Sequence, residues 1–178
     1  MLPPDTYVII GPESTGKTSL CQALAEYFDG VWIAEYAREY IENLNRHYTY
    51  EDVIHIAKKQ IEIEENFSTD KKFVFIDTDV IITKIWLQHV YKKYPIWIDD
   101  FLKRAYRKAY LLTYHDLPWE FDPIRENPYL REYLFNLYEN EIKALNAKYF
   151  VIKDKNEQRL KNAINYINQN IVLNLLNH

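Results

Sequence analysis

The residues Gly11-Pro12-Glu13-Ser14-Thr15-Gly16-Lys17-Thr18 combine two glycines, a lysine and a hydroxyl at the spacing of a phosphate-binding loop. Polyphosphate is densely anionic, so its site needs many backbone N–H groups turned to one point and a helix N-terminus whose dipole favours negative charge. Gly11 and Gly16 permit that backbone path, Lys17 suits the β- and γ-phosphates of a nucleoside triphosphate, and the Thr18 hydroxyl suits Mg²⁺. Glu13, Ser14, Thr15 and Ser19 complete the expected cradle. Mg²⁺ also takes one or two carboxylates. Phe73-Val-Phe-Ile-Asp77 brings one to the end of an apolar run, with Asp79 next in line. Either acid also suits the cap of the helix that follows.

The elements around these residues read as alternating strands and helices. Apolar runs at Tyr7 to Ile10, Val31 to Ala34, Phe73 to Ile76, Tyr110 to Thr113 and Tyr149 to Ile152 predict five short strands. Helical spacing predicts helices from about Gly16 to Phe28, with Gly30 as C-terminal cap, and from Glu35 onward. Thr49-x-x-Asp52 opens another, to about Phe67, in the pattern of a capping box. Further helices are expected over Val80 to Tyr91, Ile98 to Ala109, Tyr129 to about Asn146 and Asn156 to Leu176. This alternation predicts an α/β fold of the P-loop NTPase type: a five-stranded, mainly parallel sheet with helices on both faces. Ligands of such sheets bind at the carboxyl ends of the strands. Polar residues gather there, at Gly11 onward, Glu35, Asp77 with Asp79, His115-Asp116 and Lys153-Asp154.

Length and composition bound the function. A chain of 178 residues is expected to form a single domain over 1–178. With 48% apolar and 27% charged residues it is globular in composition, and no stretch is long and apolar enough for a transmembrane helix. The N-terminus carries no secretory signal, so a cytoplasmic location is expected. A net charge of -4 gives no general attraction to nucleic acid or to an anionic membrane, and Lys103-Arg104 with Arg107-Lys108 read as the solvated face of a helix. The single cysteine, Cys21, reads as a small buried side chain, and the five histidines show no metal-ligand spacing.

Four ordered blocks carry a resemblance: the loop Gly11 to Thr18, Glu35-Tyr-Ala-Arg-Glu39, Phe75-Ile-Asp-Thr-Asp79, and Leu117-Pro-Trp-Glu-Phe-Asp-Pro-Ile-Arg125. Together they resemble the nicotinamide riboside kinase domain of NadR-type NAD-biosynthesis proteins. The resemblance implies a small P-loop kinase that moves the γ-phosphoryl of ATP, with Mg²⁺, to the 5′-hydroxyl of nicotinamide riboside in NAD salvage. The adenylyltransferase domain of the bifunctional proteins is not expected here, so the mononucleotide and not the dinucleotide would be the product.

Phosphoryl transfer to an alcohol is assisted by a carboxylate that accepts the hydroxyl proton. Glu35, at the end of the second strand, is the first candidate, with Asp77 and then Asp79 behind it. Arg38, one turn on, suits a phosphate or a sugar hydroxyl, and equally an ion pair with Glu35 or Glu42. The proline-punctuated segment from His115 to Pro128 has the form of a lid, with Arg125 the first candidate to reach the γ-phosphate and Arg131 the second. Trp119 suits either a stacking role on an aromatic base or an anchor of the lid on the core. The same cradle would also serve a nucleotide-dependent regulatory switch acting through a protein partner. The retained Glu35 and Asp77 weigh towards a kinase, because only a kinase needs a base and an acceptor pocket. The choice between ATP and GTP and the oligomeric state are not encoded in any motif of the chain.

Overall fold

Strand β1 (Asp5–Ile10) ends in Tyr7, Val8, Ile9 and Ile10, all without solvent exposure. Such a run, apolar on both sides of the chain, is stable only where helices cover both faces of a sheet. A computed structural model of the chain describes residues 4–105, 107, 109–122 and 128–176, and it places β1 at the centre. Strand β3 (Phe73–Asp77) pairs on one side with Tyr7 opposite Phe75, and β4 (Ala109–Thr113) on the other with Ile9 opposite Leu111. The edges are β2 (Val31–Ile33) and β5 (Tyr149–Ile152), giving the order β2-β3-β1-β4-β5 with every described pair parallel.

Helices α1 (Lys17–Tyr27) and α7 (Asn156–Leu176) cover one face, where Leu20, Cys21 and Leu24 pack with Tyr7, Phe75 and Ile167. Against the other face lie α3 (Tyr50–Asn66), α4 (Val80–Tyr91), α5 (Trp97–Arg104) and α6 (Arg131–Ala144), around Val8, Ile76, Ile81 and Leu112. Each of these aliphatic side chains stabilises the fold by about 1.5–3 kcal/mol through burial. The short α2 (Tyr36–Glu42) follows β2 and leans on α3.

Three local expectations meet different outcomes. The capping box forms: Asp52 N–H donates to Thr49 Oγ1 at 3.4 Å, and Thr49 N–H donates to the Asp52 carboxylate at 2.7 Å. Gly30 does not supply the left-handed residue that ends α1; Asp29 does, with φ 47°, while Gly30 N–H donates to Ala25 O at 2.8 Å. The glycine is needed for another reason, since a Cβ there would lie 2.7 Å from the Phe73 carbonyl oxygen. Helix α5 stops at Arg104 instead of Ala109. Ala109 is taken into β4. Arg107 is not on a solvated helix face: its side chain is 8% exposed and ion-paired with Glu64 and Asp79.

Candidate functional site

The loop after β1 is shaped by contacts as much as by glycines. Gly11, at φ 155°, must lack a side chain, because a Cβ would fall 2.2 Å from Thr113 Oγ1 at the end of β4. Gly16 is left-handed at φ 71°, and so is Ser14 at φ 55°. A serine rarely adopts that conformation, and here its surroundings hold it. Ser14 Oγ donates to Glu120 O at 3.2 Å and accepts from Glu120 N–H at 3.1 Å. Arg131 donates to Ser14 O at 3.3 Å and to Leu117 O at 2.9 Å. The segment 117–120 is thereby tied across the phosphate loop, and α1 starts immediately after it with Lys17 in its first turn. Lys17 Nζ donates to Pro12 O at 2.9 Å.

Two carboxylates meet this loop from neighbouring strands. Asp77, the last residue of β3, is 1% exposed, and its Oδ1 is a buried acceptor without a hydrogen-bond partner among the described residues. Burial pushes its carboxyl above the ordinary range, against the opposing pull of the Thr18 hydroxyl and of Lys17. Glu35 precedes α2 and lines the cavity. Its carboxyl is also pushed up, first by burial and then by the nearby Asp77 charge, with Lys17 and Arg38 opposing. An orphaned carboxylate oxygen and a threonine hydroxyl beside a lysine form a donor set that fits Mg²⁺ bound jointly with phosphate oxygens.

The cavity that opens from this point has a volume of about 900 Å³. Residues 11 and 13–20 line one end, and Asn156, Arg159 and Leu160 of α7 continue that wall. Arg159 is held there by donating to Ile152 O and Tyr114 O, each at 3.1 Å, and by an ion pair with Asp116. Beyond the loop the wall is mainly apolar and aromatic, built by Ile41 and Leu44 after β2, Tyr48, Trp86 and His89 of α4, and Leu134 and Tyr138 of α6, with Arg46 and His47 among them. Trp86 and Tyr48 meet edge to face at 4.7 Å between centroids. Lys84 fixes the two helices of this wall, with Nζ 2.6 Å from Glu141 of α6 and 2.9 Å from Asp99 of α5.

Sequence reasoning missed these wall residues, although a signal existed: Ile82, Thr83, Trp86, His89 and Val90 recur at helical spacing immediately after Asp77 and all reach the cavity. Glu13, Ser14, Thr15, Gly16, Lys17, Thr18, Ser19, Glu35 and Arg38 are brought together around it. Arg38 bonds Glu42 at 2.7 Å and Asp122 at 2.6 Å, and so joins α2 to the segment after β4.

Two residues expected to touch substrate stand elsewhere. Asp79 is 1% exposed and off the cavity wall; it caps α4 through Ile81 N–H at 3.1 Å and accepts from Arg107 and Tyr110. Its side chain points back into the helix N-terminus because that cap and a buried guanidinium satisfy both of its oxygens. Trp119 is likewise not part of the cavity wall; it lies under Arg131, 6.0 Å from guanidinium carbon to ring centroid. Arg131 itself is committed to the loop carbonyls. Arg125 falls outside the described residues, as does part of the 115–128 segment.

Known proteins with this arrangement give it a context. The chain is 24% identical over 157 residues to the trifunctional NAD biosynthesis/regulator protein NadR of Salmonella typhimurium, a match that covers 84% of this chain and 38% of that protein. It therefore spans well under half of that relative. A crystal structure of NadR in complex with NR superposes with a TM-score of 0.80 at 20% identity, over 93% of this chain and 51% of that one. Thymidylate kinase from Ehrlichia chaffeensis superposes with a TM-score of 0.65 at 16% identity, over 93% of this chain and all of that one. These likenesses establish the P-loop kinase fold. The family described as AAA domain matches residues 6–159. The chain belongs to that family, as a nucleotide-binding member with the fold of a P-loop kinase.

Proposed function

We propose that the protein transfers the γ-phosphoryl group of ATP to the 5′-hydroxyl of nicotinamide riboside, giving nicotinamide mononucleotide. The observation that carries this reading is one continuous cavity whose wall includes the phosphate loop, the aromatic pair Tyr48 and Trp86, and Glu35. A nucleotide-dependent switch would need the loop but neither the aromatic pair nor the base. The likeness to NadR with NR bound supports the choice of acceptor.

The steps follow from the residues. Lys17 leaves Pro12 O for the β- and γ-phosphates and offsets charge that spreads over the transferred group. Thr18 and Asp77 would hold Mg²⁺, which supplies further charge neutralisation on the phosphate oxygens. The planar nicotinamide fits the wall of Trp86 and Tyr48, and its riboside end faces Glu35 and Arg38. Glu35 accepts the hydroxyl proton; its raised affinity for protons makes it a stronger base once deprotonated. The 117–122 segment, tied to Ser14 and to Arg38, limits water access to the loop.

The test is incubation of purified protein with Mg²⁺ and γ-labelled ATP against a panel of nucleosides. Labelled nicotinamide mononucleotide is the expected product. Slow ATP hydrolysis, indifferent to every acceptor, would replace this reading with a nucleotide-dependent switch.

A further inference from the structure

Two buried threonine hydroxyls sit behind the phosphate loop and are unused by the chemistry proposed above. Thr15 is 1% exposed and Thr113 is fully buried. Their hydroxyl oxygens lie 2.7 Å apart, with Thr15 Oγ1 2.7 Å from Pro12 O and Thr113 Oγ1 3.2 Å from Ile10 O. Pro12 O also accepts from Lys17 Nζ at 2.9 Å. Each hydroxyl carries one proton. The pair therefore has two protons for three contacts: Thr15 to Pro12, Thr15 with Thr113, and Thr113 to Ile10. Only two of them can be hydrogen bonds at once. Pro12 O has two lone pairs and accepts from Lys17 and Thr15 together, so the Thr113 proton is the one shared, between Thr15 Oγ1 and Ile10 O.

We infer that the Thr15 hydroxyl, backed by Thr113, frees Lys17 for the polyphosphate by holding Pro12 O in its place, Thr15 acting as the positioning residue. With Lys17 on Pro12 O, Thr15 donates to the same oxygen. When Lys17 moves to the phosphates, the Thr15 bond remains, and Thr113 keeps Thr15 Oγ1 oriented from behind. The buried Pro12 carbonyl keeps a donor in both states, so binding does not leave it unsatisfied, a condition that otherwise costs substantially. No bond other than hydrogen bonds is made or broken, and the proton count is the same before and after. Gly11 gives Thr113 the space to reach the loop, because any side chain there would collide with its hydroxyl.

The inference rests on the nucleotide-binding half of the proposed function and is independent of the acceptor, so it is tested by ATP binding alone. Thr15→Val keeps the shape and removes the proton. Its apo form still has Lys17 on Pro12 O, whereas its ATP-bound form has no donor there. The expected result is ATP affinity weakened about tenfold, in line with one lost bond to a buried carbonyl, with KM for the acceptor unchanged and near wild-type affinity restored in Thr15→Ser. A second measurement uses the wild-type protein labelled with ¹³C at the Pro12 carbonyl, whose chemical shift is expected to stay at its hydrogen-bonded value when ATP is added. Unchanged ATP affinity in Thr15→Val, equal losses in Thr15→Val and Thr15→Ser, or a carbonyl shift that moves to the unbonded value would each overturn this role of Thr15. A wild-type protein that binds no ATP overturns the nucleotide reading itself, which separates the two failures.

Discussion

The two ends of the cavity are built by different means. The phosphate end is built mainly by the contiguous loop of residues 11–20, with α7 beside it, and offers backbone N–H groups and a helix N-terminus suited to a ligand common to many proteins. The end proposed to take the acceptor is assembled from side chains on α2, α4, α6 and the connection before α3, and each depends on helix packing for its place. A site made of backbone is fixed by local conformation, so substitutions there act through single critical groups. A site made of distributed side chains spreads specificity over several weaker contacts. The contrast predicts steep losses at the loop and graded ones at the wall.

The sharpest break should come from Lys17→Ala, which removes the one loop cation and should lower ATP affinity by a hundredfold or more while circular dichroism reports an intact fold. Calorimetry with unchanged affinity would erase the distinction between the ends. Next, Glu35→Gln should reduce turnover about a hundredfold and leave ATP binding in place, because it removes a base without touching the cradle. If product still forms at the wild-type rate, the base is another carboxylate, with Asp77, at the end of β3 beside Lys17, the next candidate. A smaller effect, about tenfold, is expected of Asp77→Asn, and only when magnesium is present; equal weakening with a chelator would remove the metal assignment. Smallest is Asp122→Asn, which cuts the pair with Arg38. With Arg38 41% exposed, that pair is worth at most about 1 kcal/mol, so KM for the acceptor should rise a fewfold and affinity for ATP should not change.

The acids also set a pH dependence that separates the two ends. Burial raises the carboxyls of Glu35 and Asp77 in the folded chain. Between their ordinary and raised values the fold holds protons that the unfolded chain has released, so apo stability should fall as pH rises through that window. On the proposed reading, Mg²⁺ held with ATP would add its positive charge to that of Lys17 beside Asp77. Melting curves across pH should therefore flatten when both are added, and a slope unaffected by them would place the titrating groups outside the phosphate end.

This division between the ends also decided what could be seen in the sequence. The loop and the apolar strand before it were visible because phosphate binding uses contiguous residues with strict spacing, and the strand-end carboxylates Glu35 and Asp77 followed from the parallel-sheet rule. Asp79 stays open between two roles in the sequence, because an acid two residues past a strand end has the same local pattern as a metal ligand and as a helix cap. Arg107 and Tyr110, which lie far along the chain and bond it, favour the cap. Trp86 and His89 stayed hidden since an aromatic on a helix reads as core until its neighbours are known. Ser14 gave no warning of its left-handed backbone, because the Glu120 and Arg131 contacts that hold it are tertiary.

The central position of β1 bears on how the chain reaches this state. It is the first strand in the sequence, yet both of its partners come much later: Thr113, whose hydroxyl donates to Ile10 O, is 103 residues away. Pairings that close such long loops are entropically late and slow. On a ribosome, Tyr7 to Ile10 would emerge before either partner strand and wait exposed while the residues up to β4 are made, a stage at which apolar strands invite aggregation. The phosphate loop, hung between β1 and the end of β4, acquires its shape only when that wait ends. ATP can then stabilise the completed domain but cannot guide its early assembly.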